Sequence, residues 1–585
     1  MAGAYGATVV EILLDRLEAE GVEYIFGVPG ASLTPIYEAL LERTAIKQIL
    51  AKHEEGAALM AAGYARVSGK IGVCCATTGP GGTNALTGVA SAYADSVPLL
   101  MVTGQASTQF FGKGAFQESS SQGIDIVQIF RPVTKLSVML HNAERFPALL
   151  HEALRVARIG RPGPVHLNIP ADFMKEFVAS TRIPPVHLRP LSRPADRASV
   201  IEAVKVLSEA ERPAILAGHG VTISQAAEPL RQLAERLQIP VATTPKAKGV
   251  FPEDHPLSLG VFGFAGHSHA EKYLLQTNID TLLVIGTSMG EWSTNAWSSR
   301  LQPTRALIQV DLDAAIIGRN YHVEIGVVGD AAEVLTMMAE DIEALSQHRG
   351  ERKMNTEAVE SVRMSTPRFL NEEPDEDDSA PVKPQHLIRE MQRAMPEDAL
   401  FFVDIGNAMS WAGHYFQVRR PNSYFVAMGL AAMGSGLAGA IGGKLAAPGQ
   451  AVVALVGDSA FAMNGMEVHT AVEHDVPVIW IVLNDGGHAM IMHGESLLLG
   501  KHLEACRFRV PLQIAALGAA LGARTFRVET RSAFRAAFEE ALAAGKPCVI
   551  DVLIDPREVP QTLSRRVRTL AASFDHVPLS MRSRR

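Results

Sequence analysis

The chain has 585 residues, several times the about 100 to 200 residues of one domain, which excludes a single small binding module. Hydrophobic residues make up 47% and charged residues 20%, enough for packed cores and too little charge for a disordered chain. With 62 Asp and Glu against 54 Lys and Arg, the net charge is −8, so the chain carries no general attraction for a nucleic-acid backbone or an anionic membrane.

From Val9 to about Ile169, helical and strand patterns alternate: an amphipathic helix over Val9–Glu20, a strand at Tyr24–Gly27, another helix, then strands near Gly72–Ala76 and Leu99–Val102. That alternation predicts an α/β unit on a parallel sheet. The Pro-rich stretch Pro184–Pro194 reads as an interdomain linker. A second α/β unit follows, with strands predicted at Ala214–Ala217, Val241–Thr243, Thr281–Ile285 and Ala306–Val310. The segment Glu351–Ser379, with its acidic run NEEPDEDDS, reads as a solvated connector. A third unit places strands at Leu400–Asp404, Val452–Val456, Val478–Leu483 and Cys548–Leu553, and these charge-poor runs suit strands covered on both faces. The last residues, with Arg565, Arg566, Arg568, Arg582, Arg584 and Arg585, read as a solvated basic tail. The expected boundaries are 1–183, 195–347, an acidic linker 348–380, 381–557 and a tail 558–585.

The four cysteines, Cys74, Cys75, Cys506 and Cys548, form no CxxC pair, so reduced thiols are expected. The first residues lack a secretory signal pattern, and no apolar run approaches the roughly 20 residues of a membrane helix. A soluble cytoplasmic protein is the expectation.

The strongest chemical signal is VVALVGDSAFAMNGMEVHTAVEHDVPVIWIVLNDGG. One buried strand ends in Gly457-Asp458-Ser459 and a second in Asn484-Asp485-Gly486-Gly487. Two carboxylates are thereby delivered to the carboxyl ends of parallel strands, where open α/β sheets bind ligands. Asp458 and Asp485 are hard oxygen donors suited to Mg²⁺, and Gly457 with the helix starting near Ser459 suits an anion. A metal-bridged diphosphate is the predicted ligand. Each Asp taken alone would equally serve as a helix cap or turn closer.

This segment resembles the metal motif of the thiamine-diphosphate-dependent enzymes, GDG with a later Asn, here written GDS and ND. FGVPGASL (Phe26–Leu33), KHEEGAALMAAGYARVSGK (Lys52–Lys70) and TTGPGGTNALTG (Thr77–Gly88) resemble the pyrimidine-binding domain of the acetolactate synthase branch. The resemblance implies three doubly wound α/β domains: pyrimidine-binding, central and diphosphate-binding. It implies that Glu54 contacts the aminopyrimidine ring and promotes the tautomer that removes the thiazolium C2 proton; the apolar helix behind it (Ala57, Ala58, Leu59, Met60) would keep the site dry. Glu55 better suits a plain N-terminal helix acid.

Gly30 and Gln117 are further expected at the reacting centre, and Gly79, Pro80 and Asn84 around the pyrimidine. For the rest of the cofactor the resemblance points to Ile405, Gly406, Asn407, Gly457, Asp458, Ser459, Ala460, Asp485 and Met490, with Met433 wedging it into a bent conformation. Asp458, Asp485 and Gly487 are the expected Mg²⁺ ligands.

GKGAFQE (Gly112–Glu118) and PEDHPLSLGVFG (Pro252–Gly263) also resemble acetolactate synthases. Three departures point to a relative with an altered acceptor pocket. Gly494 lies where a selecting Trp is expected, Ala171 replaces a Lys, and the run Ser119–Asp125 is longer. After Ile285-Gly286 neither Arg of the flavin motif RFDDR is present, so tightly held FAD is not expected. His488 and His493 flank the metal loop as candidate proton donors or carboxylate binders. The resulting expectation is a Mg²⁺-dependent carboligase that decarboxylates a 2-ketoacid, pyruvate first, and joins the remainder to a second carbonyl. The alternative is a carboligase or lyase of specialised metabolism using an aldehyde, an amine-bearing acceptor or an acyl thioester. Glu54 and Asp458 should meet across a subunit interface, which implies a homodimer or homotetramer.

Overall fold

The charge-poor runs become strands buried on both faces, and the strands collect into three sheets. The computed structural model describes residues 6–179, 195–346, 355–371, 378–501 and 504–573. Its first unit contains β1 (Ala7–Thr8), β2 (Tyr24–Val28), β3 (Lys47–Leu50), β4 (Gly72–Ala76), β5 (Leu99–Gln105), β6 (Leu136–Met139), β7 (Pro164–Pro170) and β8 (Phe177–Val178). β2 to β7 form a parallel sheet in the order β3-β2-β4-β5-β7-β6, and β1 pairs antiparallel with β8.

The second sheet comprises β9 (Pro213–Ala217), β10 (Val241–Thr243), β11 (Ser258–Val261), β12 (Thr281–Ile285), β13 (Ala306–Asp311) and β14 (Ile325–Val328), in the parallel order β11-β10-β9-β12-β13-β14. The third comprises β15 (Leu400–Val403), β16 (Tyr424–Val426), β17 (Val452–Gly457), β18 (Ile479–Asn484), β19 (Arg524–Val528) and β20 (Cys548–Leu553), in the parallel order β16-β15-β17-β18-β20-β19. Each sheet has an inner point at which its winding reverses, between β2 and β4, between β9 and β12, and between β15 and β17. These reversals open the crevices in which doubly wound sheets bind ligands.

The first and third sheets share one apolar core, in which Phe26, Ala57, Met60 and Met101 lie with Phe402, Leu437, Ile441 and Trp480. Burying each large side chain contributes about 1.5–3 kcal/mol, which holds the two domains as one block. Inside that core the helix Glu54–Ser68 crosses the helix Ser435–Ala446 at backbone contact: a Cβ on Gly442 would collide with the Met60 carbonyl, and one on Gly63 with that of Gly439.

Two expectations are corrected. The stretch read as a solvated connector contains a helix, Asn355–Ser365, because Val359 and Val362 find an apolar surface on the central domain. Most of the acidic run, 372–377, and the linker 184–194 lie outside the described residues. The basic tail likewise begins as a helix, Gln561–Ser573, rather than a solvated strand of chain. There Arg565 pairs with Glu271 at 2.5 Å and donates to the Gly266 carbonyl at 2.9 Å, while Arg566 pairs with Glu291 and lies over the Trp292 ring, 4.6 Å from its centre. Residues 574–585 lie outside the described residues. Among the described residues no helix is long and apolar enough to cross a membrane.

Candidate active site

The third sheet supplies the carboxylates. β17 ends at Gly457, and Asp458 opens the helix Asp458–Asn464 almost fully buried. Its Oδ1 accepts the Ser459 N–H at 2.6 Å, and its Oδ2 accepts those of Gly486 at 2.9 Å and Gly487 at 3.1 Å. Ser459 Oγ donates to the Gly487 carbonyl at 2.8 Å. The loops after β17 and β18 are thus laced together, and the serine in GDS does part of the lacing. Burial pushes the carboxyls of Asp458 and Asp485 above the ordinary carboxylate range, and the charge of Asp458 raises Asp485 further. Two like-charged carboxylates this close favour either a shared proton or a cation between them. With the Gly487 carbonyl they make a hard oxygen donor set that fits Mg²⁺, and among the described residues no group of three or more His, Cys, Asp or Glu could hold a metal. A metal here would complete its shell with ligand or water oxygens, as Mg²⁺ does when it bridges a diphosphate.

Across the winding reversal, β15 runs into Ile405-Gly406-Asn407, with Gly406 at φ 112° and Asn407 opening the helix Asn407–Tyr415. Asn407 Nδ2 contacts the His493 ring Nδ1 at 3.1 Å, and its buried Oδ1 has no partner among the described residues. The other ring nitrogen of His493 bonds the Pro556 carbonyl at 2.8 Å. His493 is a buried post behind Asn407, so this geometry does not offer it as an exposed proton donor. The partly exposed His488 lies edge-on to Phe508 at the start of the helix Ala489–Leu499, where Met490 packs on the third domain's core. Met433 precedes Gly434, the N-cap of the helix Ser435–Ala446, and Ala460 is buried one turn into the helix begun by Asp458.

The first sheet supplies the lone carboxylate. His53 caps the helix Glu54–Ser68, its ring accepting the Glu55 N–H at 3.2 Å. Glu54 is 7% exposed and its Oε2 accepts Asn84 Nδ2 at 2.9 Å. Asn84 stands on the helix Pro80–Ala94, whose N-cap Gly79 has φ +68°, a conformation strained for any side chain. A Cβ there would also come within 3.1 Å of Gln117 Cβ. Gln117 itself has φ 56°, and its carbonyl accepts Thr78 Oγ1 at 2.8 Å. Glu54, Gly79, Pro80, Asn84 and Gln117 are therefore brought together at the carboxyl end of β4. Gly30, after β2, presses on Thr77 beside them.

Sequence reasoning missed the groups that hold this cluster. Gln105 Oε1, fully buried, accepts the N–H of Ser119 at 3.0 Å and of Ala106 at 2.9 Å, and Ser119 Oγ accepts the Gly79 N–H at 2.9 Å. A polar residue closing the apolar strand β5 was the available signal. From the third domain Glu467 accepts the N–H groups of Lys52 at 3.1 Å and His53 at 3.0 Å, so it fixes the start of the Glu54 helix. The Glu54 cluster and the Asp458–Asp485 cluster share no hydrogen bond within the chain among the described residues. The reversal of the central sheet opens a cavity of about 400 Å³, lined by His219, Gly220, Gly286, Asp311, Arg161 and Lys246 among others.

Three family models match in chain order: thiamine pyrophosphate enzyme, N-terminal TPP binding domain, over residues 7–126; central domain over 200–338; and C-terminal TPP binding domain over 404–552. The chain is 35% identical to the "Probable acetolactate synthase large subunit" of Methanocaldococcus jannaschii, covering 94% of this chain and 92% of that protein. It is 33% identical to the acetolactate synthase large subunit of Corynebacterium glutamicum (94% and 87%) and 32% to the acetolactate synthase isozyme 1 large subunit of Escherichia coli K12 (94% and 94%). An X-ray structure of a Mycobacterium smegmatis protein superimposes with a TM-score of 0.81 at 23% identity, covering 94% of this chain and all of that one.

Proposed function

Because the chain belongs to the thiamine pyrophosphate enzyme family, as a thiamine-diphosphate-dependent, acetolactate synthase-like enzyme, we propose that it is a Mg²⁺-dependent carboligase using a 2-ketoacid, pyruvate first, as donor. When bound, thiamine diphosphate supplies the carbanion chemistry that releases CO₂ from the donor and passes the remaining fragment to a second carbonyl. Glu54, oriented by Asn84, would hold the pyrimidine ring nitrogen through a shared proton. Gly30, Gly79, Pro80 and Gln117 would wall that end of the site. Asp458, Asp485 and the Gly487 carbonyl would hold Mg²⁺. Ile405, Gly406 and Asn407, with Gly457, Ser459 and Ala460, would receive the diphosphate, and Met433 and Met490 would pack on the cofactor between the two ends.

One observation carries this reading: a lone buried carboxylate stands at the carboxyl end of the first sheet, and two carboxylates stand side by side at the carboxyl ends of β17 and β18 in the third. Among the described residues the two clusters share no hydrogen bond within a chain, and each site would be closed by a second copy, in a dimer or tetramer. The exposure of Leu430, Met463 and Met466 near the metal helix supports burial by that copy. Neither Arg of the flavin motif follows β12, so a colourless purified protein is expected.

A second reading is favoured by Gly494, which lies inside the helix Ala489–Leu499 with open space where a Cβ would stand. Such room would suit an acceptor other than a second 2-ketoacid: an aldehyde, an amine-bearing acceptor or an acyl thioester. Product NMR after incubation with thiamine diphosphate, Mg²⁺ and pyruvate alone separates the two. Acetolactate or acetoin, absent in Asp458→Ala, supports pyruvate self-condensation. Unchanged pyruvate in the wild type transfers the assignment to the alternative acceptors, added one class at a time.

A further inference from the structure

Asp404, a residue that neither the motifs nor the two carboxylate clusters include, lies at the end of β15 with no exposed surface. Four backbone N–H groups converge on its carboxylate: Ile405 at 2.8 Å and Gly434 at 2.9 Å on Oδ1, Gly436 at 2.9 Å and Leu437 at 3.1 Å on Oδ2. The first belongs to the turn Ile405-Gly406-Asn407. The other three are the N-cap and first turn of the helix Ser435–Ala446, directly after Met433. A Cβ on Gly436 would stand 2.7 Å from the Asp404 backbone nitrogen, so the helix end is seated on β15 itself. A carboxylate has about four lone-pair sites, and here four donors occupy them, leaving little capacity for a metal or a ligand. Burial pushes this carboxyl up to about 6 against the pull of those amides, and it is the four N–H donors that favour its ionised, acceptor-only form.

We propose that Asp404 is a positioning residue that ties the diphosphate turn to the Met433 loop and so sets the span over which the bent cofactor is held. The inference rests on the thiamine diphosphate reading above and adds to it a residue that touches no part of the cofactor. Its chemistry follows from the lone pairs: an amide of the same shape offers one oxygen to two donors and turns an NH₂ group toward the other two, which costs both N–H groups their acceptor.

The test compares full-length wild type, Asp404→Asn and Asp404→Glu; the second variant keeps the charge but drives the carboxylate one methylene into the amide cradle. Thiamine diphosphate binding is measured by quenching of tryptophan fluorescence in Mg²⁺ buffer. Hydrogen–deuterium exchange at C2 of the saturated, bound cofactor is read by NMR after acid quench, with no substrate present. Both variants are expected to melt lower than wild type while staying folded at the assay temperature, to weaken binding about tenfold or more and to slow C2 exchange by a similar factor. A variant that melts lower, yet binds and exchanges within about twofold of wild type, has lost only stability and overturns the inference. So does any folded variant indistinguishable from wild type. A wild type that binds no thiamine diphosphate overturns the cofactor reading and this inference together, whereas a binding wild type with equally binding variants overturns this inference alone.

Discussion

Asp95 holds the three domains at one point, and replacing it tests whether they act as a single block. It closes the helix Pro80–Ala94 with no exposed surface. Its carboxylate accepts Arg66 Nη2 at 2.6 Å from its own domain, Lys246 Nζ at 2.5 Å from the central domain and the Gly429 N–H at 2.9 Å from the third. Burial alone would raise this carboxyl, but Lys246 and then Arg66 outweigh it and hold it at about 2. A fall from the ordinary 3.8 to about 2 corresponds to about 2 kcal/mol of stability at pH 7. Because the folded value is depressed, that stability is present above pH 4 and is lost as pH falls from about 4 through 2. Asp95→Asn leaves two cations without their shared anion, so a cost of about 3 kcal/mol or more is expected at pH 7. Urea unfolding at fixed protein concentration reads it: Trp292, Trp297, Trp411 and Trp480 report the second and third domains, and far-UV circular dichroism reports the whole. The variant should unfold at lower urea at pH 7 and should lose less stability than wild type between pH 4 and 2, the difference being the part Asp95 supplies. A midpoint equivalent to less than about 0.5 kcal/mol from wild type at pH 7 would refute the clamp, since a surface pair is worth no more than that.

Glu54→Gln retains an oxygen for the Asn84 bond but cannot share a proton in the same way; turnover should fall about 10²- to 10⁴-fold with the melting temperature nearly unchanged, and initial rates within threefold of wild type would remove Glu54 from the chemistry. Arg566→Ala removes the Trp292 stacking and the Glu291 pair, together worth about 1–2 kcal/mol at this half-buried site. Amide hydrogen exchange in 561–573 should then quicken about 5- to 30-fold, and unaltered exchange would show that the helix is held by something else.

What could be read from the chain alone was whatever repeats along it. The strand Val452–Val456 was legible because an apolar run must be covered on both faces, and β17 extends it by one residue to Gly457. The helices Asn355–Ser365 and Gln561–Ser573 were not, because what stabilises them lies far off in sequence: Val359 packs on the central core, and Arg565 pairs with Glu271, 294 positions away. A charge-rich segment reads as solvated until the partner that desolvates it is known. The same limit separates Asp404 from Asp458. Both are carboxylates at the end of a buried, apolar strand, and nothing in their neighbours distinguishes a metal ligand from a loop anchor. Their surroundings do. Asp404 meets four amide N–H groups, which match the lone pairs it has; Asp458 meets three and also shares its site with a second carboxylate whose proton affinity it raises. An acid saturated by amides organises the backbone around it. An acid pressed against another acid would suit a cation, a difference that the letters GDS and VDIGN do not carry.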